Sequence, residues 1–127
     1  MSVLLGYDGK SHTEKALNYA INHALAHNVR LYIVSSVATK GSVDNEVQYI
    51  KNYVEEARQK AEDSGVDARA LVEAGPPAEA LLAASARLGV DTIIVGRLDK
   101  TALDRMIIGS VSEAVIRGAH CTVIVVQ

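Results

Sequence analysis

The sequence predicts an α/β domain: five strands in a mainly parallel, doubly wound sheet with helices on both faces. Three observations carry that expectation. Short apolar runs of strand length recur along the chain, at 3–7, 30–37, 67–73, 91–95 and 122–126. The stretches between them repeat their apolar residues at helical spacing, so strand and helix alternate. Glycine and proline punctuate the boundaries, as at Gly9, Gly65, Gly75-Pro76-Pro77, Gly89 and Gly96. Strands that are apolar on both faces need cover on both, and a helix between successive strands makes their pairing parallel.

The run at 3–7 ends in the turn Asp8-Gly9-Lys10. Ser11 and Glu14 have the spacing of a capping box, ahead of a helix whose Ala16, Leu17, Ala20, Ile21, Ala24 and Leu25 form the apolar stripe. The second strand, 30–37, is apolar on both faces through Leu31, Ile33 and Val34. Asp44 is placed to cap a long helix with Val47, Ile50, Val54, Ala57 and Ala61 on one side, ending near Ser64-Gly65. On its outer face Glu55–Gln59 and Glu56–Lys60 are spaced for i,i+4 pairs. The third strand alternates through Ala68, Ala70 and Val72. Gly75-Pro76-Pro77 breaks it and supplies a proline for the next helix's first turn. Leu81, Leu82, Ser85 and Leu88 are that helix's expected buried side. After the fourth strand come a charged stretch, 97–108, and a short helix from about 110 to 117.

At 127 residues the chain is expected to form one domain, 1–127, burying roughly two-thirds of its unfolded surface. No stretch approaches the ~20 apolar residues of a membrane span. The N-terminus runs into a strand rather than a signal peptide, so no membrane association is expected. The single Cys121 cannot form an internal disulfide, which suits a reducing cytoplasm, and it reads as packing rather than a nucleophile. A net charge of −2 gives no general attraction for nucleic acid, and without Phe or Trp there are few platforms for bases.

In sheets of this kind, ligands sit beyond the carboxyl ends of the strands, where strand order reverses. Asp8, Val37 and Gly96 fall at such ends. Gly96 and Gly109 frame the charged stretch, and Ser110-Val111-Ser112-Glu113 opens a helix rich in hydroxyls. Backbone N–H groups there would make an anion pocket, helped by the helix's orphan donors and partial positive charge. Plainer roles stand beside this one. Ser110 and Glu113 also fit a capping box, the glycines fit simple turns, and Asp8 fits a residue that satisfies its own turn. Gly9-Lys10-Ser11 is not a P-loop, because the loop's first glycine would fall at Leu4, inside the strand. His23 and His27 have a spacing that can hold a metal. With no glutamate after His23, they are expected on a solvated helix face. No catalytic or metal-ligand set is assigned.

Five stretches together resemble the universal stress protein family over nearly the whole chain. They are Val3-Leu4-Leu5-Gly6-Tyr7-Asp8-Gly9, Glu73-Ala74-Gly75-Pro76-Pro77-Ala78-Glu79-Ala80-Leu81 and Asp91-Thr92-Ile93-Ile94-Val95-Gly96, then Gly109-Ser110-Val111-Ser112-Glu113-Ala114-Val115-Ile116 and Cys121-Thr122-Val123-Ile124-Val125-Val126. The resemblance implies a Rossmann-type, adenine nucleotide alpha hydrolase-like fold with strand order 3-2-1-4-5. It implies a homodimer and a pocket for ATP or another adenine nucleotide, with or without a divalent metal on the phosphates. Carried over by position, Asp8 and Val37 would touch the adenine and ribose. Gly96, Gly109, Ser110, Val111 and Ser112 would wrap ribose and phosphates.

The family's nucleotide-binding branch has a glycine, two residues, a second glycine, nine residues, then glycine with serine or threonine. Gly96 and Gly109-Ser110 match the first and third elements, but the second is Asp99. A carboxylate about 5 Å from a phosphate charge costs on the order of 3 kcal/mol at an effective dielectric near 20, roughly a hundredfold in affinity. Arg97, Lys100 and Arg105 are the cations placed to offset it. The expected function is a cytoplasmic, dimeric, stress-response module that binds an adenine nucleotide with weakened phosphate affinity, not a dedicated enzyme. The alternatives are a nucleotide-free interaction protein of the same fold and a weak ATP hydrolase. The terminal strand, Thr122–Val126, has no charge and no proline. As a sheet edge it would invite self-pairing in a two-fold dimer.

Overall fold

The apolar runs pair as the alternation predicts. The computed structural model describes residues 1–38, 44–97 and 110–127. Its elements are β1 (Ser2–Gly6), α1 (Ser11–His27), β2 (Arg30–Val37), α2 (Asp44–Asp63), β3 (Ala68–Ala74), α3 (Pro77–Leu88), β4 (Thr92–Gly96), α4 (Ser110–Gly118) and β5 (Thr122–Val126). All neighbouring strands are parallel, in the order β3-β2-β1-β4-β5. The chain builds outward from β1 to β3, then returns to the other side of β1 with β4. That return is the switch point, and β1 and β4 flank it.

Successive side chains on a strand point to opposite faces, so each apolar run feeds two cores. Val3 and Leu5 join Leu17, Ala20, Ile33, Val54 and Ala57 under α1 and α2. Leu4 joins Val34, Ile93, Val95, Leu81, Ala84 and Val115 under α3 and α4. Each large aliphatic side chain so buried contributes about 1.5–3 kcal/mol. The α2 stripe at Ile50, Val54, Ala57 and Ala61 is buried as its spacing predicts.

Local details depart from the sequence expectation. Lys10, extended at φ −88° and ψ 162°, precedes α1 with no side-chain cap, and Ser11 is the first helical residue. The Ser11–Glu14 capping box is therefore not formed. Asp8 reaches across the turn instead, accepting the Lys10 N–H at 2.9 Å, while Glu14 accepts from the Tyr7 hydroxyl at 3.4 Å. A local aspartate turn has displaced the helix cap. Leu25 is 45% exposed, since α1 ends beside it as Asn28 turns left-handed at φ 52°.

On α2 the expected Glu55–Gln59 and Glu56–Lys60 pairs are replaced. Arg58 bridges Glu55 and Glu62, at 2.5 and 2.8 Å, and Gln59 donates to Asp63 at 2.9 Å. The guanidinium fork presents separate N–H groups to the two carboxylates. On α3 the buried row is Ala80, Leu81 and Ala84, with Leu82, Ser85 and Leu88 half-buried beside it.

Candidate functional site

α1, which follows β1, covers one face of the sheet, and α4, which follows β4 in order, covers the other. The carboxyl ends of the central strands are thereby left as the floor of a crevice. A cavity of about 170 Å³ opens there. Gly6, Tyr7 and Asp8 leave β1 into it, and Val95 and Gly96 close β4 against it. Val34, Ser35 and Ser36 come from β2, His12 and Thr13 from the first turn of α1, and Val111 from the first turn of α4. Tyr53 of α2 and Pro77 and Leu81 of α3 complete the walls. A broader groove of about 470 Å³ lies between α2 and β3, lined by Lys51, Glu55 and Val72. It is away from the switch point and converges no comparable set of groups.

Asp8 is the best-connected polar residue of the cavity. One carboxylate oxygen accepts the Lys10 N–H at 2.9 Å and the Thr13 hydroxyl at 3.0 Å. The Thr13 proton is shared with the Lys10 carbonyl at 2.8 Å. The other oxygen faces His12 Nε2 at 3.2 Å. A carboxylate offers about four acceptor sites, so Asp8 retains capacity for a further donor. Its roles as turn-former and as ligand contact are compatible.

Beside it, the Ser35 and Tyr53 hydroxyls lie 2.6 Å apart. The Tyr53 ring sits over Gly9, where a β-carbon would be 2.8 Å from Tyr53 Cγ at a φ of +76°. Only glycine fits that place. Tyr7 meets Tyr53 edge-on with ring centres 5.9 Å apart. Burial, and then the Glu14 carboxylate, push the Tyr7 phenol up to about 12. Burial raises the Tyr53 phenol as well.

Gly96 and α4 come together. Ser112, 2% exposed, donates its hydroxyl to the Gly96 carbonyl at 3.2 Å, which places Val111 on the cavity wall. Gly96 also has a packing reason to be glycine. A β-carbon there would lie 3.1 Å from the His12 carbonyl oxygen and 3.5 Å from Ala16 Cβ. Ser110 opens α4 and is exposed, outside the cavity lining. Glu113 accepts from Arg117 at 2.7 Å instead of reaching back to Ser110, so the capping-box role is not what holds it. Val37 is buried in the core beside the cavity, and its carbonyl accepts the Gly75 N–H at 2.8 Å. Ser35 and Ser36 line the cavity in its stead. Gly109, Asp99, Lys100 and Arg105 lie outside the described residues. Arg97 is buried, with its guanidinium donating to Gln127 Oε1 at 3.2 Å.

The first turns of two helices, α1 and α4, thus border one cavity with the ends that carry a helix's partial positive charge. Of the residues singled out in the sequence, Asp8, Gly96 and Val111 line this cavity and Ser112 lies behind it on the Gly96 carbonyl, whereas His12, Thr13, Ser35, Ser36 and Tyr53 line it without having been singled out. The Ser35-Ser36 pair did carry a signal, two hydroxyls in an otherwise apolar strand end. Tyr53 carried none, because only packing of α2 on β2 brings it there. Among the described residues no three His, Cys, Asp or Glu side chains gather as a metal site, and no helix is long and apolar enough to cross a membrane.

Comparison with known proteins gives the family and the fold. The sequence profile described as the universal stress protein family matches residues 1–127. A universal stress protein of Methanocaldococcus jannaschii is 30% identical over 137 aligned positions, covering 98% of this chain and 81% of the relative. Among solved structures, a universal stress protein in complex with cAMP superposes with a TM-score of 0.84 at 24% identity, covering 100% of this chain and 97% of the other. One from Archaeoglobus fulgidus in complex with dAMP gives 0.82 at 23%, covering 100% and 98%. At those identities the structural likeness is one of fold.

Proposed function

The chain belongs to the universal stress protein family, and from that membership and the crevice between β1 and β4 we propose that it is an adenine-nucleotide-binding, stress-response module. The observation that carries this reading is the convergence of Asp8 and two helix N-termini on one cavity. Relatives of the same fold hold cAMP and dAMP, adenine nucleotides with a single phosphate. In this chain the ribose hydroxyls would donate to the remaining acceptor capacity of Asp8. The base would lie on the apolar wall of Val34, Leu81 and Val95. The phosphate would sit beyond Gly96, against the N–H groups that open α4.

Asp99, where the family's nucleotide-binding branch has its second glycine, favours a monophosphate over ATP, because each added phosphate brings more negative charge near the carboxylate. Any divalent metal would arrive with a longer phosphate chain. Changing Asp99→Gly is expected to tighten ATP by up to about a hundredfold while leaving adenosine unchanged. The protein acts as a cytoplasmic dimer that holds nucleotide rather than as a dedicated enzyme. Native mass spectrometry of freshly purified protein tests the reading. Mass additions matching an adenine nucleotide are expected. Protein that carries none, and takes up none when AMP is supplied, would leave a nucleotide-free interaction module of the same fold.

A further inference from the structure

At the carboxyl end of α1, away from the cavity, Tyr19, His23 and His27 follow one another at four-residue spacing. Such spacing stacks side chains on one helix face. The Tyr19 and His23 rings lie 6.2 Å apart and nearly parallel, at 23°. The two imidazoles are closer, 4.3 Å between centres, and tilted at 43°. His23 is half-buried and His27 exposed. The sequence expectation of a merely solvated face does not account for two imidazoles so near each other.

The ring separation is close to what chelation needs. Two imidazoles that each give one nitrogen to the same tetrahedral ion, at 2.0–2.1 Å, hold their ring centres roughly 5 Å apart. The observed 4.3 Å is a small side-chain rotation from that. The tilt also matters, since a flat stack would aim the ring nitrogens in parallel rather than at a common point. No third His, Cys, Asp or Glu among the described residues completes a cage.

We propose that His23 and His27 together form a two-imidazole binding site for a divalent transition-metal ion. Water fills the other coordination positions, so the site is open and exchangeable rather than structural. Imidazole nitrogens select Zn²⁺, Ni²⁺ or Cu²⁺ over the oxygen-seeking Mg²⁺ and Ca²⁺. The site is independent of nucleotide binding.

Calorimetric titration of tag-free protein with Zn²⁺, and with Mg²⁺ in parallel, tests this. One saturable Zn²⁺ event is expected, with none for Mg²⁺. His23→Ala and His27→Ala should each weaken it by more than about tenfold, the loss that even outer-shell partners cause. Tyr19→Phe and His120→Ala should leave it unchanged. His27→Gln, which keeps a polar side chain on the exposed face, should behave as His27→Ala and guards against a folding defect in the alanine variant. Absence of saturable Zn²⁺ binding, equal binding of Mg²⁺, or undiminished binding in the histidine variants overturns the proposal.

Discussion

Gly96 borders the candidate cavity and is held to glycine by packing. The atom that would oppose a new methyl group at that position is the His12 carbonyl oxygen at 3.1 Å, part of a helix backbone that cannot swing aside. Gly96→Ala should therefore cost about 1–3 kcal/mol, read as a lowered unfolding midpoint in urea. Unchanged stability would show that α1 yields there. Tyr7 offers a pH test with a definite sign. In an unfolded chain its phenol titrates near 10, but in the fold, burial and Glu14 hold the proton up to about 12. Only the unfolded state loses that proton between the two values, so stability falls with rising pH across that window and is intact below it. Tyr7→Phe should soften the alkaline decline of the melting temperature, with Tyr53 sustaining part of it. Identical declines in both proteins would contradict the assignment. Asp8 was readable as a strand-end turn residue. Its bonds to Thr13 and His12 were not, because they depend on where α1 begins, and local competition for N–H groups decides that.

The two edge strands differ in how they meet solvent. β3 carries Arg69 and Glu73, which pair with Asp67 and Arg87, and charges of this kind discourage strand addition. β5 carries none, and Val123, Ile124, Val125 and Val126 are all half-buried on it. An apolar edge of that kind is the natural seam for two-fold self-pairing. Val125→Lys should convert a dimer to a monomer by light scattering. A dimer that persists would move the interface elsewhere. The helix stripes were readable because burial follows spacing. The α2 ion pairs were not, since Arg58 could choose among several acidic neighbours and took Glu55 and Glu62.

For the molecule as a whole, alternation of apolar strands and amphipathic helices was enough to predict a parallel sheet covered on both faces. It could not order the strands, because each strand is apolar enough to be central. The order β3-β2-β1-β4-β5 came from family resemblance and is what the structure has. Candidate-site residues at strand ends, Asp8 and Gly96, were within reach of sequence reasoning, and the Ser35-Ser36 pair left a signal too, whereas the wall supplied by Tyr53 exists only after folding. The central claim is that amides from separate parts of the chain serve one anion-receiving cavity. Titrating AMP into ¹⁵N-labelled protein and following each amide tests it most directly. The account predicts shifts confined to the residues around Asp8–Thr13, Ser35–Ser36, Gly96 and Ser110–Ser112. No shifts at saturating AMP, or shifts centred on the groove between α2 and β3, would contradict it.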